Sequence, residues 1–465
     1  MKKNYAMDMT QGPILGKMIR YCLPIMLTGI LQLLYNAADV IVVGRFAGAQ
    51  ALAAVGSTGS ITHLLVSVFL GMSAGVGVKV AQYFGAKAET DLSETVHTSV
   101  TVGLVAGVGL SVVGVLCART FLIWMDTPAD VIDLSTKYMR IIFLGMPGQM
   151  LYNFAAAVLR SIGDTKRPLY FLTLSGIVNV IMNLFFVIGC GMDVDGVAIA
   201  TIVSQYLSAI LAMLCLIRDE GSHRFEWRKM KIHGQKLREI VYIGLPAGLQ
   251  SGLFGISNVL LQSGVNSFGS ATMAACAAAS NIEGFVYTSM YSFHQGVVTV
   301  IGQNVGARKP ERFHRTLLVS LGLVAVVGIV MGGGVTLLGR PLLSIYNQDP
   351  EIIAIGIQRL TVVCVPYFLC GLMDVLSGAL RGMGYSLAPF FVSIFGVCGV
   401  RILWIYTVFA KFHTVTVLYL SYMVTWSITI LCHLICYLIL SRKKSRELIA
   451  ERETISAMEK TKGRI

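Results

Sequence analysis

Charged residues are scarce in this sequence. Asp, Glu, Lys and Arg make up 13% of its 465 residues, whereas about 25% is usual for soluble proteins. Hydrophobic residues make up 55% of the chain, and the mean hydropathy is +0.72. These values exclude an ordinary soluble domain, and they predict a polytopic membrane protein.

The short motifs of common enzyme classes are also missing. Neither HExxH nor GxxxxGK[ST] occurs, so the sequence indicates neither a zinc protease nor a P-loop ATPase. Residues 71–75 read GMSAG, which formally fits a nucleophile motif but lies inside an apolar run with no preceding strand. Small residues that allow close helix packing explain it better, and we predict that the protein is not an enzyme.

No CxxC pair occurs among the ten cysteines, which lie almost wholly within apolar runs. This pattern predicts small apolar side chains rather than a disulfide framework or a thiolate metal site. We therefore expect no bound cofactor. The net charge of +13 would suggest nucleic acid in a soluble protein, but short loops and chain ends carry most of this charge, and no nucleic-acid partner is predicted.

Twelve long apolar runs predict twelve membrane-spanning helices. They cover about residues 17–43, 52–79, 96–117, 134–159, 168–189, 195–217, 239–265, 274–303, 314–337, 355–380, 388–410 and 414–440. The first run is too long for a signal peptide and is expected to be retained. We predict an N-lobe (1–217), a basic cytoplasmic linker (218–238), a C-lobe (239–440) and a charged, helix-favouring but loosely ordered cytoplasmic tail (441–465).

The distribution of basic residues predicts the orientation. With an even number of spans and both termini in the cytoplasm, 29 of the 37 Lys and Arg residues fall on the cytoplasmic side and 8 elsewhere. The opposite orientation would invert this bias, so the positive-inside rule places both termini in the cytoplasm. The expected location is the inner (plasma) membrane of the cell, as a monomer in the lipid bilayer.

An internal repeat relates the two halves of the chain. AQYFGAK at 81–87 matches GQNVGAR at 302–308, and LRSIGDTKRP at 159–168 matches LRGMGYSLAP at 380–389, both at an offset of 221. Pro24 recurs as Pro246, and Gly163 recurs as Gly384. Six spans separate the matched points, so the halves are parallel repeats, an arrangement common in secondary transporters. The predicted fold is all-α, with twelve transmembrane helices in two six-helix lobes.

Residues 22–48 carry the most informative polar pattern. Gln32, Asn36 and Asp39 lie at i, i+4 and i+7 and so share one face of the first span, which Pro24 interrupts. An acid within a span usually faces a wet cavity or the interior of a helix bundle and marks an ion or substrate path. The alternative is that Asp39 lies at the outer end of the span, within reach of lipid headgroups.

Further candidates lie in the second half of the chain. Glu283, Tyr287, Tyr291 and His294 follow one face of span 8. This face could line a cavity, which we favour for Glu283, or form a hydrogen-bonded seam between helices. Asp374 in span 10 either binds ligand or pairs with Arg381.

Amide side chains form two more groups. Asn179 and Asn183 lie one turn apart in span 5, where they could hold helices together or act in transport. Gln250 and Asn258 share a face of span 7. Arg401 is a lone cation in span 11 that could extend toward the membrane surface or pair with an acid.

Several of these stretches resemble one family, the multidrug and toxic-compound extrusion (MATE) transporters. They are LPIMLTGILQLLYNAADVIVVGRFAG, AQYFGAK, LRSIGDTKRP and GIVNVIMNLFFVIGCGMDVDGVAIAT, and the resemblance covers about residues 10–440. It implies two lobes that form a V around a central cavity. It also implies an antiporter that expels organic cations in exchange for H⁺ or Na⁺.

The resemblance also implies roles for individual residues. Asp39 falls where the family has the span 1 acid used in cation coupling and is a candidate Na⁺ ligand, and Asn179 matches a polar position of span 5 near that acid. Spacing adds Asn36, one turn before Asp39, and Asn183, one turn after Asn179, to the predicted coupling residues. Members of the NorM type carry a glutamate in span 7, where this chain has only neutral polar residues, so the DinF-like branch is favoured.

The predicted function is therefore secondary active efflux of lipophilic organic cations and drugs, coupled to H⁺ or Na⁺. The predicted substrate-binding residues are Gln32, Gln250, Asn258, Glu283, Tyr287, Tyr291, His294 and Asp374. The alternative is a flippase for lipid-linked oligosaccharides or lipids of the same superfamily. A flippase would favour a basic cavity for pyrophosphate, whereas the polar spans show mostly acids, opposed only by Arg401.

Overall fold

Helices make up the regular structure of the computed structural model, which describes residues 5–125 and 127–462 and has no strand within them. The first half contains α1 (Ile14–Val42), α2 (Ala49–Ala86), α3 (Glu89–Trp124), α4 (Ile132–Leu144), α5 (Met146–Ser161), α6 (Lys166–Leu184) and α7 (Val194–Arg218). The second half contains α8 (Gly234–Asn266), α9 (Ser270–Gly306), α10 (Phe313–Leu337), α11 (Gly339–Ser344), α12 (Pro350–Cys364), α13 (Phe368–Gly382), α14 (Leu387–Ser393), α15 (Val400–Trp404), α16 (Ala410–Phe412) and α17 (Val415–Lys462).

Shorter helical segments extend or join these helices. π-Helical segments are Val43–Ala47 after α1, Phe185–Gly189 after α6, and Ile394–Gly399 and Ile405–Phe409 between α14 and α16. Segments of 3₁₀ helix are Trp227–Lys229, Pro310–Arg312 and Val365–Tyr367. With these included, each of the twelve predicted spans falls on one helix or on consecutive helical segments.

Membrane-spanning capacity, judged by length and composition, agrees with this assignment. Among the described residues ten helices are long and apolar enough to cross a membrane, and α4 with α5, bent by 44°, forms an eleventh. The remaining predicted span corresponds to α9, a 37-residue helix that carries Glu283 and His294. The predicted all-α, multi-pass membrane fold is confirmed.

The C-terminal tail is helical, as its sequence favours, and it differs from its prediction only in being packed against other residues. Helix α17 continues from the last span without a break as far as Lys462. Leu448 is buried, and Glu451 accepts a hydrogen bond from Arg308 at 3.2 Å. The tail's Lys, Arg and Glu residues favour helix, and these contacts hold its first turns against the rest of the chain. Hydropathy alone detects only the apolar part of such a helix.

The chain forms two compact units. The first comprises Met1–Met7, Leu27–Phe84 and Ala88–Gly248, and the second comprises Asp8–Met26, Gly85–Lys87 and Leu249–Ile465. The first unit includes the predicted linker, whereas the first turns of α1 belong to the second. The lobe limits drawn from the sequence stay a prediction.

Backbone geometry shows the internal repeat directly. Positive φ angles recur at an offset of 221 residues, at Gly48 (89°) and Gly269 (91°), at Lys87 (55°) and Arg308 (52°), and at Gly163 (93°) and Gly384 (95°). Pro24 and Pro246 both lie inside long helices. Gly163 and Gly384 end their helices in the left-handed region that glycine adopts without strain, as the repeated motif predicts.

Glycines of the GMSAG stretch allow α2 and α8 to pack closely. A Cβ atom on Gly71 would lie 2.1 Å from the backbone nitrogen of Gly248, and one on Gly75 would lie 2.4 Å from the carbonyl oxygen of Ile240. No side chain fits at such distances. The packing role predicted for this stretch is confirmed.

Gly71→Ala is expected to reduce the yield of folded protein sharply, because the added methyl group would force two backbones apart, at a cost of about 1–3 kcal/mol or more. Gly56→Ala in the same helix is the matched control, since a Cβ there meets no atom within 4 Å. Size-exclusion chromatography and thermal denaturation in detergent measure both variants. Equal yields and melting temperatures for the two would contradict the close packing of α2 against α8.

Cysteine labelling tests the orientation predicted by the positive-inside rule. A cysteine introduced at Arg228, in the loop between α7 and α8, should react with a membrane-permeable maleimide but not with an impermeable one. A cysteine at Asp349, which precedes α12, should react with both. The other loop position predicted to be outside, Asp126, lies beyond the described residues. Labelling of position 228 by the impermeable reagent in intact cells would refute the predicted topology.

Candidate functional site

Close contact between α1 and α6 positions the acid of the first span. The ring of Tyr35 lies against Gly176, where an added Cβ would come within 1.9 Å of it. The Tyr35 hydroxyl donates a hydrogen bond to the carbonyl oxygen of Thr173 at 3.3 Å. One turn further along α1, Asp39 points to the same side as Tyr35. A glycine in α6 thus brings the Asp39 carboxylate to the amide side chains of that helix.

Asp39 and two asparagines form a polar cluster within an apolar part of the first unit, called here the Asp39 cluster. Nδ2 of Asn183 donates hydrogen bonds to Oδ1 of Asp39 and, at 3.3 Å, to Oδ1 of Asn179. Asn179 and Asn183 are buried, whereas Asp39 is half-buried. Of the four residues predicted to act in cation coupling, the structure brings these three together.

The surroundings of the Asp39 cluster are apolar. Val42, Val43, Val187 and Val194 form a buried hydrophobic group beside it. Tyr138 packs against that group and lies within electrostatic range of Asp39. No Lys, Arg or His among the described residues forms an ion pair with Asp39. A carboxylate in such surroundings, with only neutral amide partners, favours uptake of a cation or a proton.

The other polar residues of the first span lie apart from the cluster. Gln32 and Asn36 are exposed on α1, and among the described residues neither forms a hydrogen bond with Asp39. The predicted contact of Asn36 with Asp39 is therefore absent, and Asn183 makes it instead. Packing of α1 against Gly176 brings the Asn183 amide of α6 to the Asp39 carboxylate, whereas Asn36 lies on the exposed side of α1.

Glu283 in the second unit has a cationic partner that the sequence did not reveal. Arg359 of α12 donates two parallel hydrogen bonds to the Glu283 carboxylate, from Nε at 2.7 Å and from Nη2 at 2.8 Å. Both side chains are buried, and the guanidinium lies 5.1 Å from the centre of the Tyr419 ring. The expectation that only Arg401 opposes the acids of the polar spans is wrong, because Arg359 also does so and this bidentate pair neutralises Glu283.

A cavity of about 300 Å³ adjoins this pair within the second unit and is called here the second-unit cavity. Among the predicted substrate-binding residues, Asn258, Glu283 and Tyr287 line it. Its aromatic walls are Tyr287, Tyr367, Tyr419, Tyr422 and Trp426. Glu283 thus lines this cavity while bonded to Arg359, and its role in substrate binding stays a prediction.

Tyr291, His294 and Asp374 lie at a helix contact rather than in the lining of the second-unit cavity. Nδ1 of His294 bonds the backbone carbonyl oxygen of Asp374 at 2.7 Å, and its ring stacks on Tyr291 with 5.0 Å between centroids. The Tyr287 hydroxyl contacts the Asp374 carboxylate. Half of the predicted polar face of α9 therefore forms a seam with α13.

Gln250 takes part in a separate buried network. Its Oε1 accepts a hydrogen bond from Arg381 at 2.7 Å, and its Nε2 donates to Oγ of Ser393 at 3.0 Å. Oγ of Ser393 lies 3.3 Å from Nε2 of His433. Within the described residues Arg381 therefore bonds Gln250, and the ion pair with Asp374 offered as an alternative does not form.

Comparison with known proteins places this architecture in a family. The MatE family model matches residues 24–185 and 246–407. The probable multidrug resistance protein YoeA of Bacillus subtilis (strain 168) is 28% identical over 389 residues, which are 82% of this chain and 84% of that protein. The FAD transporter of Shewanella oneidensis (strain ATCC 700550 / JCM 31522 / CIP 106686 / LMG 19005 / NCIMB 14063 / MR-1) is 24% identical over 363 residues, 76% and 79% of the two chains.

A solved structure has the same fold. The outward-facing conformation of a multidrug resistance MATE family transporter of the MOP superfamily superposes with a TM-score of 0.88 at 19% identity, covering 97% of this chain and 100% of that one. The two segments matched by the family model begin 222 residues apart and repeat each other in length. Together they span more than half of the sequence. The chain belongs to the MATE family of multi-pass multidrug efflux transporters and is not an enzyme.

Proposed function

We propose that this transporter expels lipophilic organic cations in exchange for H⁺ or Na⁺, with the Asp39 cluster as the coupling site. The proposal is based on the half-buried carboxylate of Asp39. Among the described residues, its hydrogen-bond partner is the neutral amide of Asn183. Such a group is costly to keep charged in an apolar span. Binding of one cation or one proton removes that cost.

The asparagines of the cluster suit either ion. Nδ2 of Asn183 stabilises the charged carboxylate by donating a hydrogen bond. Oδ1 of Asn183 is buried without a hydrogen-bond partner among the described residues, and an unsatisfied amide oxygen is a ligand for a hard cation. After a turn of the Asn183 amide that exchanges its oxygen and nitrogen, this oxygen would join Asp39 and Oδ1 of Asn179 around Na⁺, whereas a proton would bind the carboxylate alone.

Coupling requires that the ion bind the two transport states with different affinity. An ion that neutralises Asp39 removes its need for the Asn183 donor and so weakens the link between α1 and α6. Pro24 leaves α1 without one backbone hydrogen bond, and the helix can change its bend there. The second state of α1 then has a different affinity for substrate.

Membership of the MATE family supports organic cations as the exported class. Gln32 and Asn36 lie exposed on the same helix face and offer neutral hydrogen-bonding groups to the substrate. Relatives named for multidrug resistance and for FAD transport support export of organic small molecules without limiting their charge. The names of these relatives do not favour the flippase alternative.

Proteoliposomes with imposed gradients test this function. Protein reconstituted with a lipophilic cationic dye should move the dye against its concentration when either a pH gradient or a Na⁺ gradient is applied, and not when both are absent. The matched control is liposomes without protein under the same gradients. Dye movement that is independent of every ion gradient would contradict ion-coupled export.

A further inference from the structure

The second-unit cavity has the size and lining of a small-molecule site. Its volume of about 300 Å³ lies at the lower end of the range typical of ligand pockets. Five aromatic rings line it, together with Asn258 and the Glu283–Arg359 pair. An aromatic ligand of one or two rings would fit this volume and could stack on the tyrosine and tryptophan faces.

The two charged side chains that line the second-unit cavity neutralise each other. Glu283 and Arg359 hold each other through two hydrogen bonds of 2.7 and 2.8 Å. A cationic ligand attracted to Glu283 would compete with a guanidinium already in bidentate contact, which is the strongest arrangement for such a pair. The lining therefore offers an incoming cation no free carboxylate.

Arg401 supplies a charge that no described residue balances. It is 3% exposed, and its Nη1 donates to Oδ1 of Asn258 at 2.9 Å and to Oγ of Ser257 at 3.2 Å. Its Nε is buried without a partner among the described residues. No described carboxylate forms an ion pair with it. A buried cation with only neutral partners is costly, and an anion brought near it is stabilised.

The position of Arg401 joins this charge to the cavity. Asn258 and Tyr422, which line the cavity, are both in contact with the guanidinium, and the Tyr422 ring centre lies 4.8 Å from it. Arg359 lies 5.1 Å from the centre of the Tyr419 ring. Two of the aromatic faces that could attract a ligand cation are therefore occupied by the protein's own arginines.

We propose that the second-unit cavity binds aromatic compounds carrying an anionic group, such as a carboxylate, sulfonate or phosphate, held by the charge of Arg401. The ring of the ligand stacks within the aromatic walls, and its anionic group displaces the Asn258 amide oxygen from Nη1. This site is distinct from the proposed coupling site at Asp39 and does not depend on it.

Two probes with one ring system and opposite charges test the proposal. Isothermal titration calorimetry of the full-length protein in lipid nanodiscs would compare naphthalene-2-sulfonate with N,N,N-trimethyl-2-naphthylammonium. The sulfonate should bind roughly ten-fold or more tightly than the ammonium. Equal binding of the two probes, or tighter binding of the ammonium, would overturn the proposal without any substitution.

Variants at position 401 locate the effect. Arg401→Gln should lower sulfonate affinity by roughly ten-fold, whereas Arg401→Lys, which keeps the charge, should retain most of it. Unchanged sulfonate affinity in Arg401→Gln would refute the role of this charge. If the glutamine variant fails to fold, the comparison of the two oppositely charged probes on the wild type decides. Asp39→Asn should bind sulfonate like the wild type. A failure of the coupling proposal at Asp39 can therefore be told apart from a failure of the binding proposal at Arg401.

Discussion

The Asp39→Asn transporter should fold and bind its cationic substrate but lose efflux driven by a proton or sodium gradient. The substitution keeps the shape of the side chain, and the new amide can still pair with Asn183, but it removes the group that exchanges an ion. Allosteric coupling free energies typically correspond to roughly 5- to 150-fold effects on affinity. We therefore expect efflux to fall roughly five-fold or more. Dye efflux from cells that express equal amounts of protein measures the change.

Asp133→Asn is the matched control for this prediction. Asp133 is also an acid of the first unit, but its side chain is 79% exposed and its contact is a surface ion pair of 3.2 Å with Arg119. Such pairs contribute little to stability. The control should therefore transport at the wild-type rate. Gradient-driven efflux that persists in Asp39→Asn would make Asp39 a structural residue.

Breaking the Glu283–Arg359 pair should have the largest effect on stability. In Glu283→Gln the buried guanidinium of Arg359 loses its counter-charge, and removal of one partner from a buried ion pair costs about 3–5 kcal/mol. Whole domains are stabilised by only about 5–15 kcal/mol. We expect a strongly lowered melting temperature and poor recovery from detergent extraction, measured by fluorescence-detected size exclusion.

Replacing both partners separates lost charge from lost packing. The double variant Glu283→Met with Arg359→Met should recover most of the stability, because apolar side chains of similar volume often replace a buried pair without loss. Glu447→Gln is the control, since Glu447 forms an exposed 3.4 Å pair with Lys444 and should cost about 0–1 kcal/mol. A stable Glu283→Gln variant would show that Arg359 is not held by this carboxylate.

Hydropathy and the repeat predicted the fold well because both are recognised from short stretches of the sequence. Each apolar run became one helix or consecutive helical segments, and the motif at 159–168 and its copy at 380–389 both contain a glycine with positive φ. The helix of the tail also follows from its composition, but its packing was underestimated because contacts between distant residues give no local signal. Its contact between Arg308 and Glu451 depends on residues 143 apart in sequence.

For the candidate sites, helical spacing predicted which residues share a face of one helix, but not which residues of another helix they contact. Asn179 and Asn183 share a face of α6 by their spacing alone, and Asp39 stands out as an acid in an apolar span. Which of the neighbouring amides bonds Asp39 depends on the packing of α1 against Gly176. Packing between helices leaves no local signal, so Asn36 and Asn183 could not be ranked.

Arg359 was missed for a similar reason. It lies 76 residues from Glu283, and no periodicity joins the two. A signal was present, since an arginine inside the apolar stretch of α12 needs a counter-charge, and Glu283 is a buried acid of the same unit. Balancing buried acids against buried arginines in each half of the sequence would have suggested the pair.

Simultaneous measurement of ion flux and substrate flux in proteoliposomes tests the coupling role of Asp39 most directly. Radioactive Na⁺ and a pH-sensitive dye would report ion movement while a cationic dye reports substrate. Substrate efflux in the wild type should be accompanied by inward flux of H⁺ or Na⁺, and Asp39→Asn should abolish this linked ion flux. Linked ion flux of wild-type size in Asp39→Asn would contradict the coupling role of Asp39.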